Sequence, residues 1–344
     1  MDSEFVRIAL KGWNKEDVSR EECEYVLRFD ENSPEVIFIN ALADRFLREV
    51  SDNTAILNVQ IGIQQNPCPG NCRFCNFNKT TTSIQTRMIS DEDLLDYVSE
   101  CVRYGDVRTI SLMTMQNYDI DHLKHCIKLT KENANGANVT VNIGDTSYDD
   151  CIELKKAGVN GAYHACRLRE GIDTDLRPED RIQTIRNFID AGFIVSTCTE
   201  PIGPEHSVEE ILDNYYRGME LGTDSGSIMA RVPVPNTPLG NTQSLSMARI
   251  RQLRSTLFMV STSRKKKGST IDVWDAGYFN GFNRFHAEYG CNPRDSNDKS
   301  EEGFGHTMAC ARRLAFNMGY DKILRPDGKR VRLDVDYLSR TGSL

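Results

Sequence analysis

The stretch TAILNVQIGIQQNPCPGNCRFCNF, residues 54–77, joins a short apolar segment to a loop that carries three cysteines. Its first part, TAILNVQIGI (54–63), is rich in apolar residues and has the length of a buried strand. Cys68, Cys72 and Cys75 follow it, and the prolines and the glycine around them favour a tight loop. The sequence therefore predicts a buried strand whose carboxyl end carries three closely spaced thiols.

The order of a strand and then a helix recurs six times along the chain. The predicted strands are 54–63, 109–115, 138–144, 161–166, 193–201 and 225–234. The predicted helices that follow them are 90–105, 119–133, 147–158, 178–192, 207–222 and 244–260. This alternation predicts an α/β fold with a parallel sheet, closed as a full or partial TIM-type (β/α) barrel. A doubly wound open sheet is the alternative, and it is disfavoured because no G-x-G-x-x-G turn follows the first strand.

Three regions are expected. Residues 1–53 have helical periodicity, with Ser33 capping one helix, and form an N-terminal helical leader. Residues 54–277 form the barrel core, whose less readable seventh strand is TIDVWDAG (270–277). Residues 278–344 form a C-terminal extension that completes or caps the barrel. Active-site residues of such barrels lie at the carboxyl ends of the strands, which is where the three cysteines are predicted.

Composition and charge exclude several classes of protein. The 344 residues include 42 Lys and Arg against 50 Asp and Glu, a net charge of −8, whereas general nucleic-acid binders are basic. No apolar stretch reaches the roughly 18 residues of a membrane span, and the N-terminus lacks the order of a signal peptide. We therefore expect a cytoplasmic protein that binds neither nucleic acid nor membranes. Its 11 cysteines, an odd number, do not indicate a disulfide framework.

The number of thiols in the loop limits what it can bind. A disulfide uses two of them and leaves the third unexplained. Structural zinc takes four ligands, and no second pair of Cys or His occurs at a matching spacing. A [4Fe–4S] cluster held by three thiolates suits one short loop and leaves its fourth iron without a protein ligand. The residues therefore favour a cluster with one open iron, with zinc and a disulfide as weaker alternatives.

The loop and its context resemble the radical S-adenosylmethionine (SAM) superfamily. The pattern is C-x-x-x-C-x-x-C with Phe74 before the last cysteine, placed after the first strand of a β/α barrel. From about residue 35 to 260 the chain looks like the biotin-synthase group, which includes methylornithine synthase and the radical maturase of [FeFe]-hydrogenase. The segments PEDRIQTIRNFIDAGF (178–193), EPIGPEH (200–206) and RVPVPNTPLG (231–240) carry this likeness.

The resemblance implies the cofactors and the chemistry. Cys68, Cys72 and Cys75 would ligate a [4Fe–4S] cluster, and its open iron would chelate SAM. One electron, from a flavodoxin- or ferredoxin-type reductant, would then cleave SAM to methionine and a 5′-deoxyadenosyl radical. That radical would abstract a hydrogen from a small-molecule substrate.

The resemblance also implies positions that contact SAM. The backbone of Phe74 would contact the adenine. After the fourth strand, Arg167 or Arg169 with Glu170 matches the place where relatives hold charged groups against the methionine portion, and a guanidinium suits its carboxylate. The remaining candidates lie at the ends of other strands and are Thr114, Met115, Glu200 and Arg231.

Two positions depart from biotin synthase. That enzyme holds a second, sulfur-donating cluster with cysteines from its second, third and fifth strands, but Thr140 and Ser196 stand at two of these places and SLMTM (111–115) contains no cysteine. Biotin synthesis is therefore not expected. Cys166 and Cys198, on neighbouring strands, are weak catalytic candidates whose alternative role is core packing.

Other cysteines and one histidine have structural explanations. His164 is expected to be a hydrogen-bonded core residue. Packing roles are expected for the helical cysteines Cys101, Cys126 and Cys151. A second metal site, if present, would draw on Cys166 and Cys198 or on Cys23, Cys291, Cys310 and His306.

We therefore expect a radical SAM enzyme of cofactor or unusual amino-acid biosynthesis. Rearrangement, methylation or ring assembly, and sulfur insertion are not distinguished by the sequence. One alternative is a sulfur-insertion enzyme with an unrecognised auxiliary cluster. Another is a non-enzymatic iron–sulfur scaffold or electron-transfer protein, which requires a fourth cluster ligand near the loop.

Overall fold

The computed structural model describes residues 1–262 and 282–344, without the side chains of residues 260–262. The expected seventh strand at 270–277 lies outside the described residues. Among the helices of the described part, none combines the length and the apolar character that a membrane span requires.

The centre of the fold is a parallel sheet that curls through 241° into a partial barrel. Six strands lie side by side in chain order. They are β1 (Thr54–Gly62), β4 (Val107–Met113), β5 (Asn138–Asn142), β6 (Gly161–Tyr163), β7 (Ile194–Ile202) and β8 (Ser225–Ala230). The predicted partial TIM-type barrel is confirmed, and the open doubly wound sheet is not observed.

A helix follows each of these strands. In chain order they are α4 (Asp91–Val102), α5 (Ile120–Asn133), α6 (Tyr148–Lys156), α7 (Pro178–Asp190), α8 (Val208–Glu220) and α9 (Met247–Thr262). Ser90, Ser147 and Ser207 cap three of them by accepting a backbone N–H three residues on. The predicted helices agree with these within a few residues at each end.

Three strands of the sheet, all in the C-terminal part of the chain, were not predicted. β9 (Arg284–Gly290) pairs in parallel with β1 on the side opposite β4. Its polar residues His286 and Glu288 alternate with buried apolar ones, and the sequence pattern instead predicted the seventh strand at 270–277. The sheet is extended beside the start of β1 by β10 (Lys322–Leu324) and β11 (Arg330–Arg332).

Helices at both ends of the chain cover the sheet. The leader forms α1 (Ser3–Trp13), α2 (Arg20–Leu27) and α3 (Pro34–Ser51), which pack against α9. After β9 come α10 (Met308–Asn317) and α11 (Val335–Arg340). A small separate sheet, β2 (Gln64–Gln65) with β3 (Arg87–Met88), frames the cysteine loop.

The two faces of the curled sheet differ in chemistry. Val139 and Val141 of β5 belong to the apolar core beneath the helices, and the alternate residues of β5 face the barrel interior. Because registered residues of parallel strands share a face, Asn142, Tyr163 and Ser196 lie at one level of that interior. The interior wall is therefore polar.

Candidate active site

The loop after β1 holds the three cysteines in a hydrogen-bonded turn. The N–H of Cys68 donates to the carbonyl of Phe77 at 2.7 Å. The Asn78 amide donates to the carbonyls of Asn71 and Cys72, both at 3.0 Å. These bonds fix the loop backbone from within, so the thiols are positioned before any ligand binds.

All three thiols are free and at least partly buried. Cys68 is 8% exposed, and Cys72 and Cys75 are half-buried. Burial raises the pKa of Cys72 to about 12 and also raises that of Cys75. The Cys75 sulfur accepts the N–H of Phe77 at 3.3 Å. At neutral pH the Cys72 and Cys75 thiols alone would stay protonated, so a bound cation must displace their protons to make them ligands.

The loop that follows β6 is joined to the cysteine loop by backbone hydrogen bonds. The N–H of Arg73 donates to the carbonyl of Asp173 at 2.9 Å, and the N–H of Asp175 donates to that of Gly70 at 2.8 Å. A Cβ on Gly70 would lie 3.2 Å from the Leu176 side chain, so the two loops approach closely. The charged segment predicted to contact SAM is thus beside the cysteines.

Arg167 lies between the cysteine loop and the barrel interior. Its Nε donates to Glu200 Oε1 at 3.2 Å, and its positive charge partly offsets the burial that raises the Cys72 pKa. Glu200 is 5% exposed, and its Oε2 has no hydrogen-bond partner among the described residues. The same holds for the buried hydroxyl of Tyr163, whose pKa is raised by burial and by the nearby Glu200 carboxylate. Two unsatisfied oxygen atoms thus lie on this wall.

Glu170 and Arg169 have partners of their own. Glu170 accepts the Arg167 N–H and the Thr174 hydroxyl, each at 2.8 Å, so both carboxylate oxygens hold the turn. Arg169 has a left-handed backbone (φ +52°), and its guanidinium pairs with Glu210 of α8 at 3.0 Å. Of the two predicted arginines, Arg167 lies towards the interior and Arg169 lies against α8.

Arg231 is held by the loop after β7. It forms an ion pair with Glu205 and donates to the Thr242 hydroxyl at 2.8 Å. Ligand atoms of Asp173, Glu205 and His206 lie within 4.8 Å of one another. This group does not favour a metal, because both carboxylates are paired with arginines and His206 Nδ1 accepts the Gly203 N–H at 2.9 Å.

The other predicted contacts lie near the cysteines. Met115 packs with Cys68, Phe77 and Cys291 in a small apolar cluster. The Thr114 hydroxyl donates to the Met115 carbonyl at 3.3 Å. Phe74 is half-buried within the cysteine loop.

A buried polar network that the sequence did not reveal supports the strand ends. Arg181 of α7 donates to Asp145 at 2.9 Å and to the Ala165 carbonyl at 3.2 Å. His164 contacts Asp145 and the Ile143 carbonyl, both at 3.2 Å, so its predicted role as a core residue is confirmed. Burial and Arg181 lower the pKa of His164 to about 3. Arg181 lies within helix α7, and nothing in the sequence around it indicated that it would bind Asp145.

The cysteines considered for a second metal site are not brought together. Cys166 accepts from Arg217 of α8 at 3.5 Å, and Cys23 of the leader contacts the Tyr216 hydroxyl at 3.6 Å. Cys310 lies on α10, and Cys291 lies beside the cysteine loop. On the interior face of the described strands, Cys198 is the one thiol, and Thr140 and Ser196 share that face.

Comparison with known proteins agrees with this arrangement. The model of the radical SAM superfamily matches residues 63–215, which include the cysteine loop. Residues 63–215 form a radical SAM domain. Biotin synthase from Hydrogenobaculum sp. (strain Y04AAS1) is 27% identical over 259 residues, which cover 71% of this chain and 76% of that protein. Biotin synthase from Akkermansia muciniphila is 29% identical over 214 residues, which cover 58% of this chain and 63% of that protein.

Two solved structures share the fold of this radical SAM chain. The [FeFe]-hydrogenase maturase HydG from Carboxydothermus hydrogenoformans has a TM-score of 0.75 at 15% identity, covering 92% of this chain and 79% of that one. Methylornithine synthase (PylB) has a TM-score of 0.74 at 14% identity, covering 90% of this chain and 96% of that one. The predicted resemblance to the biotin-synthase-like branch is confirmed.

The chain contains a radical SAM domain, and the cofactors of that superfamily are a [4Fe–4S] cluster and SAM. The residues present suit them. The cysteine loop offers three free, partly buried thiols within one short turn, and Glu200 beside it has a buried oxygen without a partner among the described residues.

Proposed function

We propose that Cys68, Cys72 and Cys75 hold the [4Fe–4S] cluster and that the chain acts on a small-molecule substrate inside the barrel. When bound, the cluster and SAM supply a 5′-deoxyadenosyl radical that abstracts a substrate hydrogen. The observation that carries the proposal is the pre-formed loop of three free cysteines, joined by hydrogen bonds to the charged segment after β6. A flavodoxin- or ferredoxin-type reductant in the cytoplasm would supply the electron.

Within this site, Arg167 and Glu200 would bind the amino-acid end of SAM. A guanidinium suits its carboxylate, and a carboxylate suits its ammonium. The two side chains lie together beside Cys72, and Glu200 Oε2 has no partner among the described residues. Phe74, Thr114 and Met115 would line the same site.

Three further predicted residues would act through their neighbours. Glu170 holds the backbone of Arg167, Arg169 anchors this loop to α8, and Arg231 anchors the loop after β7. We propose them as positioning residues of the SAM site.

The substrate would lie against the polar interior wall. Amide and hydroxyl side chains at the level of Asn142 and Ser196 suit a hydrophilic molecule, such as one in cofactor or unusual amino-acid biosynthesis. Sulfur insertion from an auxiliary cluster is disfavoured, because the interior strands that the structure describes offer Cys198 as their one thiol.

The proposal is tested by reconstituting the cluster under anaerobic conditions and adding dithionite and SAM. We expect 5′-deoxyadenosine and methionine in equal amounts and about four iron atoms per chain. An intact cluster that leaves SAM uncleaved would contradict the proposal.

The ligand assignment is tested with a matched pair of cysteines. Cys72→Ala is expected to lose the cluster, whereas Cys101→Ala is expected to keep it, because Cys101 is buried in α4 away from the loop. Iron content and the visible absorption of the cluster are measured. Equal iron loss in both variants would show that the ligands are misassigned.

One observation favours a second candidate function, an iron–sulfur scaffold or electron-transfer protein. Such a protein needs a fourth ligand, and Cys291 packs with Cys68 at the edge of the loop. Its thiol, however, donates to the Gln64 carbonyl at 3.1 Å. If Cys291 were the fourth ligand, Cys291→Ser would change the electron paramagnetic resonance spectrum of the reduced cluster, and SAM would not. The radical enzyme predicts the reverse.

A further inference from the structure

Among the strands that the structure describes, β7 carries a thiol that faces the barrel interior below the proposed SAM site. Along β7, Ser196, Cys198 and Glu200 alternate on one face, and Ser196 is in register with Tyr163 of β6. Cys198 is in register with Ser227 of β8, which extends the same face. The thiol therefore lies on the interior wall, one pleat below Glu200.

The surroundings of Cys198 connect it to the cysteine loop. Tyr163 lies beside Cys198 and Glu200, and burial together with the Glu200 carboxylate raises the pKa of its hydroxyl. Glu200 pairs with Arg167, and Arg167 acts in turn on Cys72. A continuous row of side chains thus runs from the proposed cluster ligand down to this thiol.

Two buried oxygens beside the thiol are available to a group bound in this part of the interior. Glu200 is 5% exposed with Oε2 unpartnered within the described residues, and the buried Tyr163 hydroxyl is likewise unsatisfied. Buried polar atoms are rarely left without a partner in the occupied state of a site. A SAM or substrate group that meets these oxygens would lie next to Cys198.

Cys166 offers the contrast. It follows β6 and is also 5% exposed, but its sulfur accepts from Arg217 and its carbonyl accepts from Asn214, both on α8. The two neighbouring cysteines are equally buried and lie towards opposite sides of the sheet. Cys166, beneath α8, can therefore serve as the control for Cys198 on the interior wall.

We propose that Cys198 donates a hydrogen atom to carbon radicals formed in the barrel interior, an inference that rests on the proposed function. An S–H bond is weaker than the C–H bond of a 5′-deoxyadenosyl methyl group, so transfer to such a radical is downhill. The S–H bond breaks, a C–H bond forms, and a thiyl radical is left on Sγ. One electron from the low-potential reductant and one proton from solvent restore the thiol. With substrate bound, Cys198 would thereby end a turnover by reducing a product radical. Without substrate, it would quench the 5′-deoxyadenosyl radical.

The test needs no knowledge of the substrate. The reconstituted enzyme is given dithionite and SAM in D₂O, where the thiol carries deuterium, and the 5′-deoxyadenosine formed is analysed by mass spectrometry. We expect deuterium in the methyl group for the wild type and for Cys166→Ser, and its loss in Cys198→Ser, whose O–H bond is too strong to donate. Tyr163→Phe is expected to keep the label. Label lost in Tyr163→Phe but kept in Cys198→Ser would overturn the proposal in favour of the phenol.

The result for the wild type is decisive even without the variants. 5′-Deoxyadenosine without deuterium contradicts the role of Cys198, whereas no 5′-deoxyadenosine at all contradicts the proposed function instead. A second readout uses the cluster-free chain under native conditions, with iodoacetamide labelling mapped by mass spectrometry. Cys198 should react faster than Cys166 because it faces the interior. The opposite order would contradict its placement, even if Cys198→Ser failed to load a cluster.

Discussion

At the scale of single residues, two arginines two positions apart have different surroundings. Arg167 pairs with Glu200 beside Cys72, and Arg169 pairs with Glu210 of α8. We expect Arg167→Gln to weaken SAM binding about 10- to 100-fold, because a hydrogen bond to a charged group contributes about 1.5–3 kcal/mol. Equilibrium binding of SAM to the cluster-loaded enzyme measures the effect.

Arg169→Gln is the control for this change. Its guanidinium is committed to Glu210 and to the Glu205 carbonyl and positions the loop without contacting SAM, so SAM binding should weaken clearly less than in Arg167→Gln. If both substitutions weaken binding equally, the methionine portion of SAM does not lie at the Arg167–Glu200 pair.

The buried His164 makes stability depend on pH. Burial and Arg181 lower its pKa to about 3 in the folded chain, against 6.5 for the exposed group. Below pH 6.5 the unfolded chain binds a proton that the folded chain does not, so stability falls as pH falls towards 3, by up to about 1.4 kcal/mol per pH unit from this residue. Urea unfolding of the cluster-free chain between pH 7 and 4 should show a shallower fall for His164→Asn. Equal slopes would show that His164 takes up its proton equally in the folded and the unfolded chain.

At the scale of elements, β1 must end closely against β9 for the cysteine loop to form. A Cβ added to Gly62 would lie 1.8 Å from the carbonyl oxygen of Cys291, which is a backbone atom that cannot simply rotate away. We expect Gly62→Ala to lower iron incorporation and to destabilise the chain by about 1–3 kcal/mol. Iron content after reconstitution and the urea midpoint are measured.

Gly226→Ala in β8 is the matched substitution. Its added Cβ would meet the Tyr215 ring at 3.5 Å, an ordinary contact, so iron content should stay at the wild-type level. Loss of iron in this variant as well would mean that any added methyl in a strand disturbs the loop, and the close approach of β1 and β9 would not be the reason.

The sequence predicted the elements whose pattern is local. The strands β1 and β4 to β8 were found because their outer faces are apolar, and the cysteine loop was found from its spacing. β9 was missed because the seventh strand was placed at 270–277 instead. Neither the burial of Tyr163 beside Glu200 nor the pairing of Arg169 with Glu210 has a signal in sequence, since both depend on the curvature that brings distant strand ends and loops together.

At the scale of the whole molecule, one buried ion pair ties the C-terminal helices to the barrel. Asp106, just before β4, accepts a bidentate pair of hydrogen bonds from Arg312 of α10 at 2.7 and 2.9 Å. The Tyr337 hydroxyl of α11 donates to the same carboxylate at 2.8 Å. The side chains of the pair are 0% and 3% exposed, so each charge depends on the other for compensation.

Removing one side chain of this pair should lower the free energy of unfolding more than removing both side chains. We expect Asp106→Leu alone to lower the free energy of unfolding by about 3–5 kcal/mol, because it leaves the buried Arg312 charge uncompensated. Arg312→Leu alone should have a similar effect through Asp106. The double substitution buries no charge, so its cost should be clearly smaller than the sum of the two, as measured by urea unfolding in a double-mutant cycle. Additive costs would mean that the two side chains are hydrated independently and that the C-terminal helices are held to the barrel by apolar packing alone.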